Sequence, residues 1–285
     1  KYPDCPVGLG EAELAEYWEK GCLAFENALT AEELQKSRDG ISDLVQRYAF
    51  NDEICEMSVD TSRKSNYSGT TFRSKSSNFS FMTEPGYVPD PARVDELEYH
   101  LRKLSGYSKE APIFRQLTGP HPKIKGIRDA ILGPVSVIYQ TMALVKPPHG
   151  GVEKPWHQDH AYFNLPMDTE IVSVWIALQE ANHENGSMCV IPGSHLEGPV
   201  VHFRVRDWQI CDTDIARDRV VEVALQPGGI LFWHGRLHHG SPANRSDKGR
   251  RSLQIHYIPE SVDPDIVTQE ERLAVYGSDG KDVTC

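Results

Sequence analysis

Long apolar segments are missing from the sequence, and their absence excludes one large class of protein. No stretch approaches the roughly 18–20 consecutive apolar residues that a helix needs to cross a bilayer. The first residues, KYPDCPVGLGEAELAEYW, also lack the basic-then-apolar pattern of a secretory signal. We therefore predict a protein without a membrane span, and we expect it to be cytoplasmic.

Basic residues and cysteines are also in short supply. The sequence has 30 Lys and Arg against 41 Asp and Glu, a formal net charge of −11, whereas nucleic acids bind basic surfaces. We predict no nucleic-acid partner, although a local basic pocket for a small anion is compatible with this charge. The 6 cysteines lie far apart and form no CxxC pair, so we expect neither a cysteine metal site nor a disulfide framework, and reduced thiols.

No internal repeat or low-complexity tract divides the 285 residues, which we expect to form a single domain. Residues 1–134 have mostly helical and loop character, with helices predicted at 11–19, 91–104 and 123–132 and a short strand at 22–26. Thr30 and Glu33 form a capping-box pattern that begins a further helix, ending near Tyr48. The polar and aromatic stretch 52–90 has no clear periodicity and predicts either a functional covering loop, or lid, or disorder.

Strand patterns dominate from Val135 onward. Several short β-prone runs follow one another with turns between them, which is typical of an all-β barrel or sandwich. Asn185-Gly186 is a strong hairpin signal within this region. The β-prone runs are VSVIYQTMALVKP, IVSVWIALQEA, SMCVIP, VVEVALQPGGILFWHG, LHHGS and RRSLQIHYIP.

Metal-binding chemistry is indicated by the segment Trp156-His157-Gln158-Asp159-His160. In an extended chain, His157 and Asp159 point to the same face and can bind one metal ion. Two histidines and one carboxylate on one face of an octahedral metal are typical of non-haem Fe(II) oxygenases. A third ligand must then come from elsewhere. His238 and His239 would point to opposite faces of a strand, so at most one of them joins the site.

Three segments, in this order and spacing, carry a family resemblance. They are KPPHGGVEKPWHQDHAYF (146–163), VWIALQEANHENGSMCVIPGSH (174–195) and PGGILFWHGRLHHGSPANRSDKGRRSLQIHY (227–257). Over about 135–258 the sequence resembles the phytanoyl-CoA 2-hydroxylase-like dioxygenases, which depend on Fe(II) and 2-oxoglutarate. The resemblance implies a mainly β fold with flanking helices and a double-stranded β-helix (jelly-roll, cupin-like) core at 135–258. Residues 259–285 would then form a C-terminal tail.

The resemblance also assigns roles to individual residues. The HxD motif of the family falls on His157 and Asp159, and its distal ligand, in an H-G-S-x-x-N-x-S segment, falls on His239. His234 and His238 are left outside the metal site.

The resemblance matches the co-substrate anchor of the family to Arg250. The far carboxylate of 2-oxoglutarate would be buried and would need a permanent cation, and the guanidinium fork fits a carboxylate. A hairpin that pairs 241 with 250 would place Ser241, Arg250 and His239 on one face, with Arg251 turned outward. Further co-substrate neighbours, for which core packing is the alternative role, are Gln140, Trp175 and Ser241.

The implied reaction is hydroxylation, or another oxidation, of an unactivated C–H bond by dioxygen. It is coupled to conversion of 2-oxoglutarate into succinate and carbon dioxide. Asp159 argues against halogenation, because related halogenases replace this carboxylate with a small residue. Two other classes compete: a zinc- or manganese-dependent cupin-like enzyme, and a non-catalytic metal-binding relative.

Substrate choice is expected to come from the loops and the N-terminal half. We expect a small molecule, with acyl-CoA, phosphonate, amino-acid and secondary-metabolite substrates as candidates, several of them anionic. Side chains that would meet it, with solvated surface charge as their alternative role, are Arg63, Lys64, Arg73 and Lys75 in the predicted lid, and Arg204, Arg206 and Trp208 near the entrance.

Overall fold

A computed structural model describes residues 1–60, 69–263, 267–276 and 285. The α-helices are α1 (Glu11–Lys20), α2 (Ala31–Tyr48), α3 (Val94–Leu97), α4 (Pro112–Thr118), α5 (Pro122–Leu132) and α6 (Gln269–Tyr276). The first strands are β1 (Cys22–Phe25), β2 (Cys55–Val59), β3 (Thr70–Ser74), β4 (Ser80–Thr83), β5 (Leu101–Ser105), β6 (Ser136–Lys146), β7 (Lys154–His157) and β8 (Val172–Ala177). The others are β9 (Met188–Val190), β10 (Phe203–Arg204), β11 (Trp208–Gln209), β12 (Val221–Val223), β13 (Ile230–His234), β14 (His239–Ser241) and β15 (Arg250–Pro259).

Two antiparallel sheets contain thirteen of these strands, and β10 and β11 pair with each other in a separate two-stranded sheet. Over the described residues, the major sheet has nine strands in the order β1-β13-β8-β15-β6-β5-β4-β3-β2, and the minor sheet has four in the order β12-β9-β14-β7. Strands β13, β8, β15 and β6 of the major sheet and the four minor strands form the expected double-stranded β-helix. Strand β8, with sequence VSVWIA, is buried along its whole length, as a central strand between two layers must be.

Helices of the N-terminal half pack on the major sheet and share its core. Thr30 caps α2 by accepting a hydrogen bond from the Glu33 N–H, and the Glu33 carboxylate accepts one from the Thr30 N–H, as the capping box predicts. One buried apolar cluster joins Ile41 of α2 and Phe114 of α4 to Ile255 of β15. Among the helices that the structure describes, none has the length and apolar character needed to cross a bilayer.

The stretch 52–90 differs from the covering loop that we predicted. Its described residues include β2, β3 and β4, which extend the major sheet beyond β5. Phe72 and Phe81 stack with ring centroids 4.7 Å apart and are buried. The helix predicted over 91–104 is also wrong at its end, because Leu101–Ser105 is strand β5. Aromatic packing across neighbouring strands, which has no signature along one strand, stabilises this layer.

Two predicted hairpins are crossings between sheets instead. Gly186 does adopt the positive φ of a turn (+84°), but the flanking strands β8 and β9 lie in different sheets. Strands β14 and β15 are likewise in different sheets, so 241 does not pair with 250. Arg250 instead pairs with Lys146 of β6.

The expectation that all cysteines are reduced is wrong for one pair. Cys211 and Cys285 form a disulfide across a sequence separation of 74 residues. The remaining thiols, Cys5, Cys22, Cys55 and Cys189, are free. Pairing over such a distance has no spacing signature, because it depends on where the end of the chain lies in the fold.

Candidate metal and co-substrate site

Three potential metal ligands meet where the two sheets face each other. His157 ends β7, Asp159 follows two residues later at the start of a short 3-10 turn, and His239 begins β14. Strands β7 and β14 pair with His239 directly opposite His157, which brings the ring centroids within 4.1 Å. One ligand atom from each of the three side chains lies within 4.8 Å of the others, and all three residues are buried.

Hydrogen bonds orient both imidazoles. His157 Nδ1 donates to the Pro155 carbonyl at 2.8 Å, and His239 Nδ1 donates to the Leu237 carbonyl at 2.9 Å. Each Nε2 therefore keeps a lone pair and faces the carboxylate, with Asp159 Oδ1 at 3.9 Å from His157 Nε2 and 3.5 Å from His239 Nε2. Among the described residues, His239 Nε2 has no hydrogen-bond partner although it is buried. These donors suit a divalent cation.

Protonation states also fit a metal. Burial, and then the neighbouring His239 imidazole, hold the pKa of His157 well below its ordinary value, so His157 is neutral at neutral pH. Burial alone would raise the pKa of Asp159, but the imidazoles of His239 and His256 hold it well below its ordinary value. Neutral imidazole and ionised carboxylate are the forms that coordinate metals.

Arg250 supplies an isolated cation in the same cavity. The side chain is buried, and its Nη1 donates to Ser252 Oγ at 2.7 Å. No carboxylate among the described residues lies within ion-pair distance of the guanidinium, and its buried Nε has no hydrogen-bond partner among them. Burial lowers the pKa of Arg250 to about 9, which still leaves it charged at neutral pH. A buried cation without a counterion needs an anionic ligand.

The other predicted co-substrate neighbours line this cavity, which is partly open to solvent and measures about 980 Å³ when that open part is included. Trp175 lies beneath the Arg250 guanidinium, with the ring centroid 5.5 Å from Cζ. Gln140 reaches the cavity from β6 of the major sheet, and Ser241 from β14 of the minor sheet. Ser241 and Arg250 thus face the cavity from opposite sheets, not from the hairpin that we predicted.

Sequence reasoning missed several basic residues of the cavity. Lys146 Nζ donates to the carbonyls of Ser241, at 3.2 Å, and Pro242. A signal for Lys146 was available, because alternate residues of β6 from Gln140 onward share one face of the strand. Other cavity residues that were not predicted are Glu84, Arg102, Lys103, Met142, Leu144, Glu153, Lys154, Tyr162, Phe163 and Gln254.

Burial affects the charge of these lysines. It lowers the pKa of Lys103 to about 8, with repulsion from Lys154 adding to the shift. The pKa of Lys146 lies well below its ordinary value because of burial and then the nearby Arg250. Burial also lowers the pKa of Lys154, although Lys154 Nζ contacts Asp207 Oδ2 at 2.5 Å. The cavity therefore holds cations whose charge is costly unless an anion binds.

Other histidines near the chain positions of the triad lie apart from it. His234 Nε2 is 2.8 Å from Glu170 Oε2, and its ring centroid lies 5.0 Å from that of His195. The His238 N–H donates to Ser194 Oγ at 2.8 Å. Neither His234 nor His238 belongs to the group of potential ligands found among the described residues.

The predicted lid and entrance side chains do not line the cavity in the part of the chain that is described. Arg73 and Lys75 are exposed, and Lys75 Nζ donates to the Asp52 carbonyl at 2.6 Å. Arg206 Nη2 pairs with Asp212 at 2.7 Å. The Arg204 guanidinium lies 5.4 Å from the Trp208 ring centroid. Trp208 itself adjoins the cavity, because its carbonyl accepts a hydrogen bond at 2.6 Å from the hydroxyl of Tyr162, which lines the cavity. Arg63 and Lys64 lie outside the described residues.

Solved structures with the same fold include three proteins at 18–20% identity. EvdO2 from Micromonospora carbonacea var. aurantiaca, complexed with 2-oxoglutarate, aligns with a TM-score of 0.62 and 20% identity over 88% of this chain and 91% of its own. EctD from S. alaskensis, with 2-oxoglutarate and 5-hydroxyectoine, aligns with a TM-score of 0.62 and 18% identity over 89% of this chain and 77% of its own. The non-heme alpha ketoglutarate dependent carbocyclase SnoK aligns with a TM-score of 0.60 and 20% identity over 96% of this chain and 93% of its own.

Sequence comparison finds relatives that match either most of this chain or a part of it. Phytanoyl-CoA dioxygenase domain-containing protein 1 of Danio rerio is 27% identical over 265 residues, which are 88% of this chain and 90% of the relative. The peroxisomal phytanoyl-CoA dioxygenase of Bos taurus is 29% identical over 188 residues, which are 62% of this chain and 52% of the relative. The model of the phytanoyl-CoA dioxygenase (PhyH) family matches residues 17–252. With its triad, its jelly-roll core and this match over most of its length, the chain belongs to the phytanoyl-CoA dioxygenase family.

Proposed function

We propose that this chain is an Fe(II)- and 2-oxoglutarate-dependent dioxygenase that hydroxylates an unactivated C–H bond of a small molecule. Succinate and carbon dioxide are the co-products. The observation that carries the proposal is the presence, in one cavity, of the His157, Asp159 and His239 group and the buried, uncompensated cation of Arg250. Family membership and the two-histidine, one-carboxylate donor set support iron.

The protein contributes binding, orientation and exclusion of water. Iron, when bound, supplies the activation of dioxygen that is coupled to loss of carbon dioxide from 2-oxoglutarate. His157, Asp159 and His239 would hold the metal, and a set of three protein ligands would leave positions for the co-substrate and dioxygen. Arg250 binds the far carboxylate of 2-oxoglutarate. The Trp175 ring beneath the guanidinium excludes water from one face of the guanidinium. Gln140 and Ser241 fill the adjoining walls.

An anionic substrate fits the charge of the cavity. The described residues that line it include five basic side chains, Arg102, Lys103, Lys146, Lys154 and Arg250, against three carboxylates, Glu84, Glu153 and Asp159, and Lys154 is paired with a fourth carboxylate, Asp207. A bound dication and a bound dicarboxylate would cancel each other, so the excess of basic groups would persist. A small molecule with a carboxylate or phosphate group would be attracted to such a cavity.

Anaerobic addition of Fe(II) and 2-oxoglutarate to the purified chain tests the proposal. We expect a visible charge-transfer absorption that requires both components and saturates at one equivalent of each. Admission of air with a mixture of anionic metabolites should then release succinate and add one oxygen atom to one of them. A chain that binds zinc or manganese but neither 2-oxoglutarate nor Fe(II) would be a different metal-dependent enzyme. A chain that gives the absorption but no succinate with any substrate would be a non-catalytic relative.

A further inference from the structure

The carboxylate of Asp159 presents its two oxygens to different surroundings. Oδ1 faces the two imidazoles of the metal group, at 3.5 Å and 3.9 Å. Oδ2 points the other way and accepts hydrogen bonds from Ser173 Oγ at 2.6 Å and from Trp233 Nε1 at 3.0 Å. A third polar group, His256 Nε2, lies 3.5 Å from the same oxygen.

These three residues form one row across the major sheet. Trp233 of β13 is directly opposite Ser173 of β8, and Ser173 is directly opposite His256 of β15. Residues opposite each other on neighbouring strands point to the same face. Strand register therefore aims all three side chains at Asp159, across the interface with the minor sheet.

Polar side chains are unusual at these positions. Ser173, Trp233 and His256 are fully buried, with the apolar Val174 and Ile255 beside them along the strands. His256 Nε2 also lies 3.3 Å from Nε2 of the buried Gln254. Burying a hydroxyl or an indole N–H is unfavourable unless it is hydrogen-bonded. Here both donors are satisfied by a single carboxylate oxygen, so their role is tied to the orientation of that carboxylate.

We propose that Ser173, Trp233 and His256 are positioning residues that hold Asp159 in a one-oxygen binding mode, with only Oδ1 offered to the metal. The inference rests on the proposed function. Oδ2 is engaged by the row and does not turn to the metal. A carboxylate that binds through one oxygen leaves more of the metal's coordination positions open for 2-oxoglutarate and dioxygen. The three residues act through Asp159 Oδ2, and the Trp233 ring also lies beside the ligand His239, with ring centroids 5.2 Å apart.

Cobalt(II), a spectroscopic substitute for Fe(II), provides the probe. We expect Ser173→Ala and Trp233→Phe to weaken cobalt affinity about 10–100-fold each, the usual effect of removing a partner of a metal ligand. The visible absorption of bound cobalt should also change in intensity, because Asp159 becomes free to bind through both oxygens. Ser173→Ala removes one buried oxygen and little volume, so it tests the inference even if Trp233→Phe folds poorly.

Ser37→Ala is the matched control. Ser37 is another fully buried serine, and its hydroxyl donates to the Glu33 carbonyl within α2, away from the site. This variant should bind cobalt with the affinity and spectrum of the wild-type chain. Thermal unfolding of the metal-free proteins separates a positioning role from a purely structural one.

The outcomes are distinguishable from those of the proposed function. If the wild-type chain binds no cobalt, the proposed function fails and this inference fails with it. If the wild-type chain binds cobalt but Ser173→Ala and Trp233→Phe show the same affinity and spectrum, the inference alone is overturned. Loss of thermal stability without any change in cobalt binding would likewise overturn it, because the row would then serve only packing.

Discussion

A buried guanidinium without a counterion is energetically costly, and Arg250 is such a group. Its neighbours are Ser252, the Trp175 ring and Lys146, and none of these three carries a negative charge that would offset the guanidinium. Charged side chains are rarely buried in protein interiors unless they are paired with an opposite charge. The residue is therefore understandable as half of an ion pair whose other half is the ligand.

Replacing Arg250 should weaken 2-oxoglutarate binding selectively. We expect Arg250→Ala to lower the affinity about 10–100-fold, the usual value for loss of charge-assisted hydrogen bonds, with metal affinity unchanged. Titration of the anaerobic charge-transfer absorption measures both quantities. Arg251→Ala is the control, because Arg251 pairs with Glu98 and does not line the cavity. Equal 2-oxoglutarate affinity in Arg250→Ala and wild type would exclude the assigned role.

Glu84 should make stability depend on pH. Burial raises the pKa of Glu84 to about 7, against the opposing effect of Arg102, whose Nη1 is 3.8 Å away. In the unfolded chain the carboxyl titrates near its ordinary pKa of 4.5. Between pH 4.5 and about 7 the folded state therefore binds one proton more than the unfolded state. The free energy of unfolding falls as the pH rises through this range, and the contribution is lost above about pH 7.

Glu84→Gln should remove this contribution. The difference in unfolding free energy between wild type and variant should change by about 3 kcal/mol between pH 4.5 and pH 8, to the disadvantage of the wild type at high pH. Denaturant unfolding of the metal-free proteins at several pH values measures it. Parallel pH profiles would show that Glu84 titrates normally.

Strands differ in how far the sequence predicts them. The buried run of β8 and the long runs of β6 and β15 have enough β-branched and apolar residues to be predicted directly. Strands β2 to β4 are short, and their partners cannot be identified from local pattern. The sheet to which a strand belongs is decided by global packing, which is why the expected pairing of 241 with 250 was wrong.

The candidate site follows the same division. His157 and Asp159 are close in sequence, so their common direction was predictable from strand geometry, and His239 followed from the family resemblance. Lys103 and Lys154 were missed because their position in the cavity depends on β5 and β7 meeting it from different sheets. Charged residues on short strands are normally solvated, and nothing local marks these two as cavity residues.

The aromatic layer of β3 and β4 should contribute strongly to stability. Phe81 is buried against Phe72, with centroids 4.7 Å apart, and against Phe79, at 6.2 Å. We expect Phe81→Ala to lower the free energy of unfolding by about 3–5 kcal/mol, because it leaves a cavity. Metal affinity should stay near that of the wild type, since none of these rings lines the site.

Met57→Ala on β2 is the comparison for that substitution. Met57 is 52% exposed, so its removal should change stability by about 0.5 kcal/mol or less. Chemical denaturation of both variants decides the question. A change below about 1 kcal/mol for Phe81→Ala would mean that this segment is the loose covering loop that the sequence had indicated.

At the scale of the whole molecule, one core and one covalent link connect distant parts of the chain. The largest buried cluster includes residues from β1, α2, α4, α5 and the central strands of the major sheet. We propose on this basis that the chain is a single domain. The disulfide ties Cys211, in the segment between β11 and β12, to the last residue.

Thiol counting tests the disulfide. Alkylation of the denatured, unreduced chain should modify four cysteines, and prior reduction should raise the number to six. In Cys285→Ser, five thiols should react without reduction, because Cys211 loses its partner. Mass spectrometry reads the number of added groups. Six modified cysteines in the unreduced wild-type chain would rule out the link.

Crystals of the full chain grown anaerobically with Fe(II) and 2-oxoglutarate, measured at the iron absorption edge, would locate both the metal and the co-substrate. We expect one strong anomalous peak at about 2 Å from His157 Nε2, His239 Nε2 and Asp159 Oδ1, with 2-oxoglutarate extending from it to Arg250. Iron bound elsewhere, for instance beside His195 and His234, or a co-substrate that does not reach Arg250, would contradict this expectation.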